Sequence, residues 1–132
     1  MQRRQLIQSA SLAALALSGA LSVTAVQAQD NKFKIGLILP MTGQSASTGR
    51  QIEAAARLYM AQNGDTVAGR KIELIVKDDT GTPDVTRRIA QELLVNDKVS
   101  FLAGFGLTPL AFAVAPLATQ SKTPTIVMAA AT

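Results

Sequence analysis

Four short apolar runs alternate with three segments of helical period, and this alternation constrains the fold more than any other feature of the chain. The runs are "FKIGLIL" (33–39), "KIELIVK" (71–77), "VSFLAG" (99–104) and "TIVM" (125–128). The first is continuously apolar rather than alternating, which is the pattern of a strand buried on both faces. After it, Ile52, Ala55, Ala56, Tyr59 and Met60 recur at the spacing of one helical stripe, and Asn63-Gly64 supplies a stop. Val85, Ile89 and Leu93 mark a second helix running from Pro83 to about Asn96, with Thr82 as its N-cap. Leu110, Ala113, Val114, Leu117 and Ala118 mark a third, in which Pro116 removes a helical bond and predicts a kink or a loose first turn. The order βαβαβαβ predicts an α/β fold, an open doubly wound parallel sheet with helices on its faces.

The segment before the first run belongs to a different class of sequence. "MQRRQLIQSASLAALALSGALSVTAVQAQD" has a basic start at Arg3 and Arg4, an apolar stretch from Leu12 to about Val26, and small residues before Gln29. That is the layout of a secretory signal, predicted to be cleaved after Ala28. The apolar stretch is short and broken by Ser and Gly, which disfavours a permanent membrane span. "RRQLI" fits both the core of a twin-arginine signal and the ordinary basic start of a general secretory signal. Residues 1–28 are therefore expected to direct export to the periplasm, and 29–132 to form the folded part. Four strands with no helix after the last leave sheet surface uncovered, so 29–132 reads as the truncated front part of a larger lobe.

Removing Arg3 and Arg4 lowers the formal charge from +4 to +2. The remaining basic residues are interspersed, with no basic stripe carrying interleaved aromatics, which argues against a nucleic-acid partner. The chain has no Cys and no His. It can build neither a disulfide framework nor the usual zinc clusters, and it lacks the Ser-His and Cys-His pairs of nucleophilic catalysis. No metal or cofactor site is expected, and no enzymatic activity.

In open α/β sheets, ligands bind beyond the carboxyl ends of the strands, where the strand order reverses. Three loops qualify. "PMTGQSAST" (40–48) carries Thr42, Ser45, Ser47 and Thr48 and leads into a helix; "GFGLTP" (104–109) leads into another; "AAAT" (129–132) follows the last strand. Helix N-termini favour a carboxylate, hydroxyls add rotatable donors, and small residues let the backbone approach. Nothing in these loops is a strong base or an activated nucleophile, so the chemistry is that of holding a solute rather than converting it. Thr48 and Thr108 also read as helix N-caps. "GFG" lacks the third glycine of a dinucleotide turn. Asp78-Asp79 stands where a phosphoacceptor site would not place its acids, and reads as a solvated loop pair.

"KIGLILPMTGQSASTGRQIEAAARLYMAQNG", "GRKIELIVKDDTGTPDVTRRIAQELLVNDKV" and "LTPLAFAVAPLATQSKTPTIVMAAAT" resemble the N-terminal lobe of the periplasmic solute-binding proteins of the branched-chain amino-acid transporter type. The likeness covers residues 34–132, with the loop glycines, the "DD" after the second strand and the "AAAT" loop in register. It implies a two-lobe, hinged α/β protein, monomeric when full length, that closes on a small solute and delivers it to an ABC permease in the inner membrane. Carried onto this chain, the resemblance implies ligand contacts at Ser47 or Thr48, at Leu107 and Thr108, and at Ala130 and Thr132. Amino-acid-binding members often carry serines where this chain has "GLTP", which looks more like members that take aromatic or other apolar carboxylic acids. Both solute classes stand at this point. A ligand-sensing receptor lobe of the same fold, or a secreted α/β enzyme, is the alternative.

Overall fold

A computed structural model of the chain describes residues 31–130. The expected cleavage point after Ala28, the export signal and Thr132 lie outside them. In chain order the elements are β1 (Lys32–Leu39), α1 (Ala46–Asn63), β2 (Thr66–Val67), β3 (Arg70–Asp78), α2 (Pro83–Val95), β4 (Phe101–Gly104), α3 (Thr108–Ser121) and β5 (Thr125–Val127). The sheet order is β2-β3-β1-β4-β5.

β1 is the middle strand. It pairs in parallel with β3, placing Leu37 beside Val76, and with β4, placing Leu37 beside Ala103. β5 extends the sheet in parallel beyond β4. The chain moves outward from β1 to β3, returns to the other side of β1 for β4, and continues outward to β5. The strand order thus reverses beside β1, and the loops that leave the carboxyl ends of β1 and β4 flank the reversal.

The sheet departs at one edge from the wholly parallel sheet that the sequence predicts. β2 pairs antiparallel with β3, with Val67 opposite Arg70. The two residues between, Ala68 and Gly69, both have positive φ (50° and 75°), as a tight hairpin turn requires. Asp65 anchors this hairpin: its carbonyl accepts from Ile72 N–H at 2.7 Å and its carboxylate pairs with Lys71 at 3.2 Å. A two-residue strand is too short to show any periodicity.

The two faces of the sheet are built from alternate residues of β1. Ile38 points to α2 and α3, where Ala90, Leu93, Val99, Leu102, Phe105 and Val114 complete a core of buried side chains. Leu37 and Leu39 point the other way, with Ala103 buried beside them and Ile52 of α1 packed against them. The stripes predicted for α2 and α3 face inward, with Leu93, Leu110, Val114 and Ala118 all buried. The stripe predicted for α1 does not close. Tyr59 is 67% exposed, and the helix buries only Ala46 and Gly49.

Two local expectations, both about helix caps, are corrected. α1 starts at Ala46 with Ser45 as N-cap, so Thr48 lies inside its first turn rather than capping it. α3 starts at Thr108 with Leu107 as N-cap, so Thr108 is its first residue. α3 also runs on through Pro116, which lies on its exposed side, where water can meet the carbonyl freed at Phe112. α2 starts as expected, from Thr82 and Pro83.

Candidate functional site

The carboxyl ends of β1, β3 and β4 open onto a cleft of about 320 Å³. The β1–α1 loop lines it with Pro40, Thr42, Gly43, Gln44 and Ser45. The β3–α2 loop contributes Asp79, Thr80 and Gly81, and the β4–α3 loop contributes Gly106 and Leu107. Each loop leads into a helix, so the first turns of α1, α2 and α3 all begin at this end of the sheet.

Asp78 and Asp79 hold the three loops together, which corrects their reading as a solvated pair. Asp79 is 1% exposed. Its carboxylate accepts from Gly81 N–H on Oδ1 at 2.9 Å and from Gly106 N–H on Oδ2 at 3.0 Å. Its own N–H donates to the carbonyl of Leu39 at 2.9 Å, and its carbonyl accepts the buried Thr86 hydroxyl at 3.0 Å. Asp78 Oδ1 accepts from Met41 N–H and from Thr80 N–H, each at 3.0 Å, and Oδ2 accepts the Thr42 hydroxyl at 2.6 Å. Asp78 thus ties β3 to the first loop, and Asp79 ties β3 to the third. Burial acts to raise the Asp78 pKa, but the donors from Thr42, Thr80 and Met41 outweigh it and hold the carboxyl below its ordinary value of 3.8.

The third loop is shaped by its backbone. Gly104 (φ 117°) and Phe105 (φ 68°) both have positive φ, a conformation that is unusual for a bulky residue. Phe105 adopts it with its ring fully buried in the core and its N–H donated to the Ile38 carbonyl at 2.7 Å. The chain then turns back toward the cleft at Gly106. A side chain there would meet Asp79 Oδ2 at 2.8 Å and Pro40 Cγ at 2.9 Å, so glycine is what allows the third loop to sit directly on the other two.

Of the residues the resemblance singled out, Leu107 lines the cleft and is 48% exposed. Ser47 and Thr48 are exposed in the first turn of α1, just past the lining residue Ser45. Thr108 follows Leu107 at the start of α3 and is half-buried, and Ala130 is half-buried beyond β5. Thr132 lies outside the described residues. The cleft itself therefore unites Leu107 with Thr42 and Ser45 rather than with Ser47, Thr48, Thr108 or Ala130. The β3–α2 loop, with Asp79 and Thr80, was not among the three loops expected to line a site, because the tie that seats Asp79 runs to Gly106, 27 residues away. No group of acidic residues among those described is arranged to hold a metal ion, and no described helix is long and apolar enough to cross a membrane.

The match to known proteins is decided over almost the whole of this region: the family model of the periplasmic binding proteins matches residues 32–132. The chain belongs to the periplasmic binding protein family. A Leu/Ile/Val-binding protein homolog from Brucella abortus is 37% identical over 120 residues, which is 90% of this chain and 31% of that protein. Among solved structures, a solute-binding protein of an ABC transporter from Rhodopseudomonas palustris BisB5, in complex with 3,4-dihydroxybenzoic acid, is 65% identical with a TM-score of 0.75, covering 77% of this chain and 28% of that one. A leucine-binding protein from Thermotoga maritima is 27% identical with a TM-score of 0.69, covering 75% of this chain and 28% of that one. The chain thus spans about a third of the length of these relatives, and the family and its solved neighbours are transport binding proteins rather than enzymes.

Proposed function

We propose that this chain is the N-terminal part of the first lobe of an extracytoplasmic solute-binding protein that serves an ABC importer, and that its solute is a benzoate-type aromatic carboxylate. The observation that carries the solute class is the 65% identity to the protein bound to 3,4-dihydroxybenzoic acid, against 27% to the leucine-binding protein. A second neighbour, from Rhodopseudomonas palustris HaA2 and bound to p-hydroxybenzoic acid, is 39% identical.

The local chemistry agrees with this reading. The cleft is walled by the starts of α1 and α3, where the positive end of each helix favours a carboxylate. Thr42 and Ser45 add hydroxyls, and Pro40 and Leu107 add apolar surface suited to a ring. The two acidic side chains at this end already accept hydrogen bonds from the loops, which leaves this wall poorly equipped to hold an α-amino group. Within this reading, Ser47, Thr48, Leu107, Thr108, Ala130 and Thr132 are the proposed ligand contacts, the second lobe closes over them, and the loaded protein docks on the permease as a monomer. Residues 1–28 serve as the export signal.

Titration calorimetry of the full-length protein with 3,4-dihydroxybenzoate, 4-hydroxybenzoate, benzoate and leucine tests this. The expected result is binding of the benzoates with leucine weaker by about tenfold or more, a gap of about 1.4 kcal/mol. Preference for leucine, or turnover of any of these solutes, overturns it.

A further inference from the structure

We propose that Asp79, aided by Asp78, is the positioning residue of the solute cleft: it fixes the separation of the loops that grip the ligand without itself being a ligand contact. The inference rests on the cleft being the solute site. Its basis is the pattern of donors. Both carboxylate oxygens of Asp79 are used, one by Gly81 of its own loop and one by Gly106 of the third loop. Asp78 is likewise saturated by its own loop at Thr80 and by the first loop at Met41 and Thr42. None of the three bonds to another loop follows from the strand ladders, since all of them are made by side-chain carboxylates at the strand ends. They supplement the link that the Phe105 N–H makes to the Ile38 carbonyl at the strand ends.

A carboxylate suits this task because it only accepts hydrogen bonds, on two oxygens at once. It can hold two N–H groups that point toward each other, and charge-assisted bonds of this kind are short and directional. Asparagine has the same shape but must turn an NH₂ group toward one of the two donors, so Asp79→Asn opposes one N–H with another. The effect on solute binding then comes through misplacement of Gly106 and Leu107, since small displacements of gripping groups are costly. Asp78 does not line the cleft, so a loss of affinity in Asp78→Asn acts only through the loops it ties.

The test uses the full-length protein with 3,4-dihydroxybenzoate and 4-hydroxybenzoate as probes. Asp79→Asn and Asp78→Asn are compared with Leu93→Ala, which removes a fully buried side chain from the core and does not line the cleft. Each variant is read by melting temperature, by Kd, and by amide hydrogen exchange at Gly81 and Gly106. Asp79→Asn is expected to weaken binding by about tenfold or more and to speed exchange at Gly106 selectively. Asp78→Asn is expected to weaken binding less, and Leu93→Ala to lower the melting temperature while leaving Kd unchanged. If Asp79→Asn does not fold, the Asp78→Asn result decides. Wild-type affinity in the folded aspartate variants overturns the positioning role while leaving the solute reading intact. A wild-type protein that binds neither probe overturns the solute reading, on which this inference stands.

Discussion

The hydroxyl of Thr42 donates to Asp78 Oδ2 at 2.6 Å, joining the loop after β1 to the end of β3 across a sequence separation of 36 residues. With Met41 N–H and Thr80 N–H on Oδ1, this bond makes Asp78 a better acceptor ionised than protonated, and its pKa falls below the ordinary 3.8.

A pH dependence follows. A carboxyl that titrates lower in the folded chain than in the unfolded one adds stability that is complete above the unfolded value and is lost as pH falls through the folded one. The full-length protein is therefore expected to lose this contribution below pH 3.8. Asp78→Asn should lack that part of the acid dependence, so that its melting curve lies below the wild type at neutral pH and converges with it in acid. Parallel curves across the acid range would contradict this.

Thr42→Val removes the hydroxyl and keeps the shape. The bond is exposed, so solvent screens it, and the expected cost is small, about 0.5–1 kcal/mol. Chemical denaturation at neutral pH measures it. An unchanged midpoint would show that water replaces the hydroxyl at no cost.

Leu93 is fully buried between α2 and the sheet. Leu93→Ala should cost about 2–5 kcal/mol, through lost transfer energy and the cavity left behind. Urea unfolding checks it, and a loss under about 1 kcal/mol would mean that the two helices close the gap.

Phe105 combines a buried ring with a positive φ of 68°. Replacing it with Ala or Gly empties the same pocket, at a cost of about 3–5 kcal/mol. Alanine keeps the backbone strain, about 1–2 kcal/mol, and glycine relieves it. Phe105→Gly is therefore expected to be no less stable than Phe105→Ala, a reversal of the usual order. A clearly less stable glycine variant would place the strain elsewhere.

Thr108 is the first residue of α3 and not its cap, so Thr108→Val separates two roles cleanly. If its hydroxyl meets the solute, affinity in the full-length protein falls by about 1–2 kcal/mol, whether or not the melting temperature also changes. A drop in melting temperature alone would exclude it from the site.

The alternation of strand and helix was legible because the apolar runs and the helical stripes have different periods, and because Thr82-Pro83 and Asn63-Gly64 punctuate them. The start of α1 was not. Ser45, Ser47 and Thr48 all offer a hydroxyl, but Ser45 stands at the cap position without a side-chain cap hydrogen bond, so the signal that marks a cap in sequence is not the one used here. β2 was invisible because two residues carry no period. The outward turn of Tyr59 was hidden for a different reason, since periodicity names a face without saying what covers it. The roles of Asp78 and Asp79 lay furthest from view. Their partners Met41 and Gly106 stand 37 and 27 residues away, and only the sheet order brings them to one place.

Every donor to these two carboxylates except the Thr42 hydroxyl is a main-chain N–H. The chassis of the cleft is thus indifferent to most of the side chains mounted on it. Gln44, Ser45 and Leu107 are the lining side chains that can be exchanged as a combinatorial set while the scaffold stays in register.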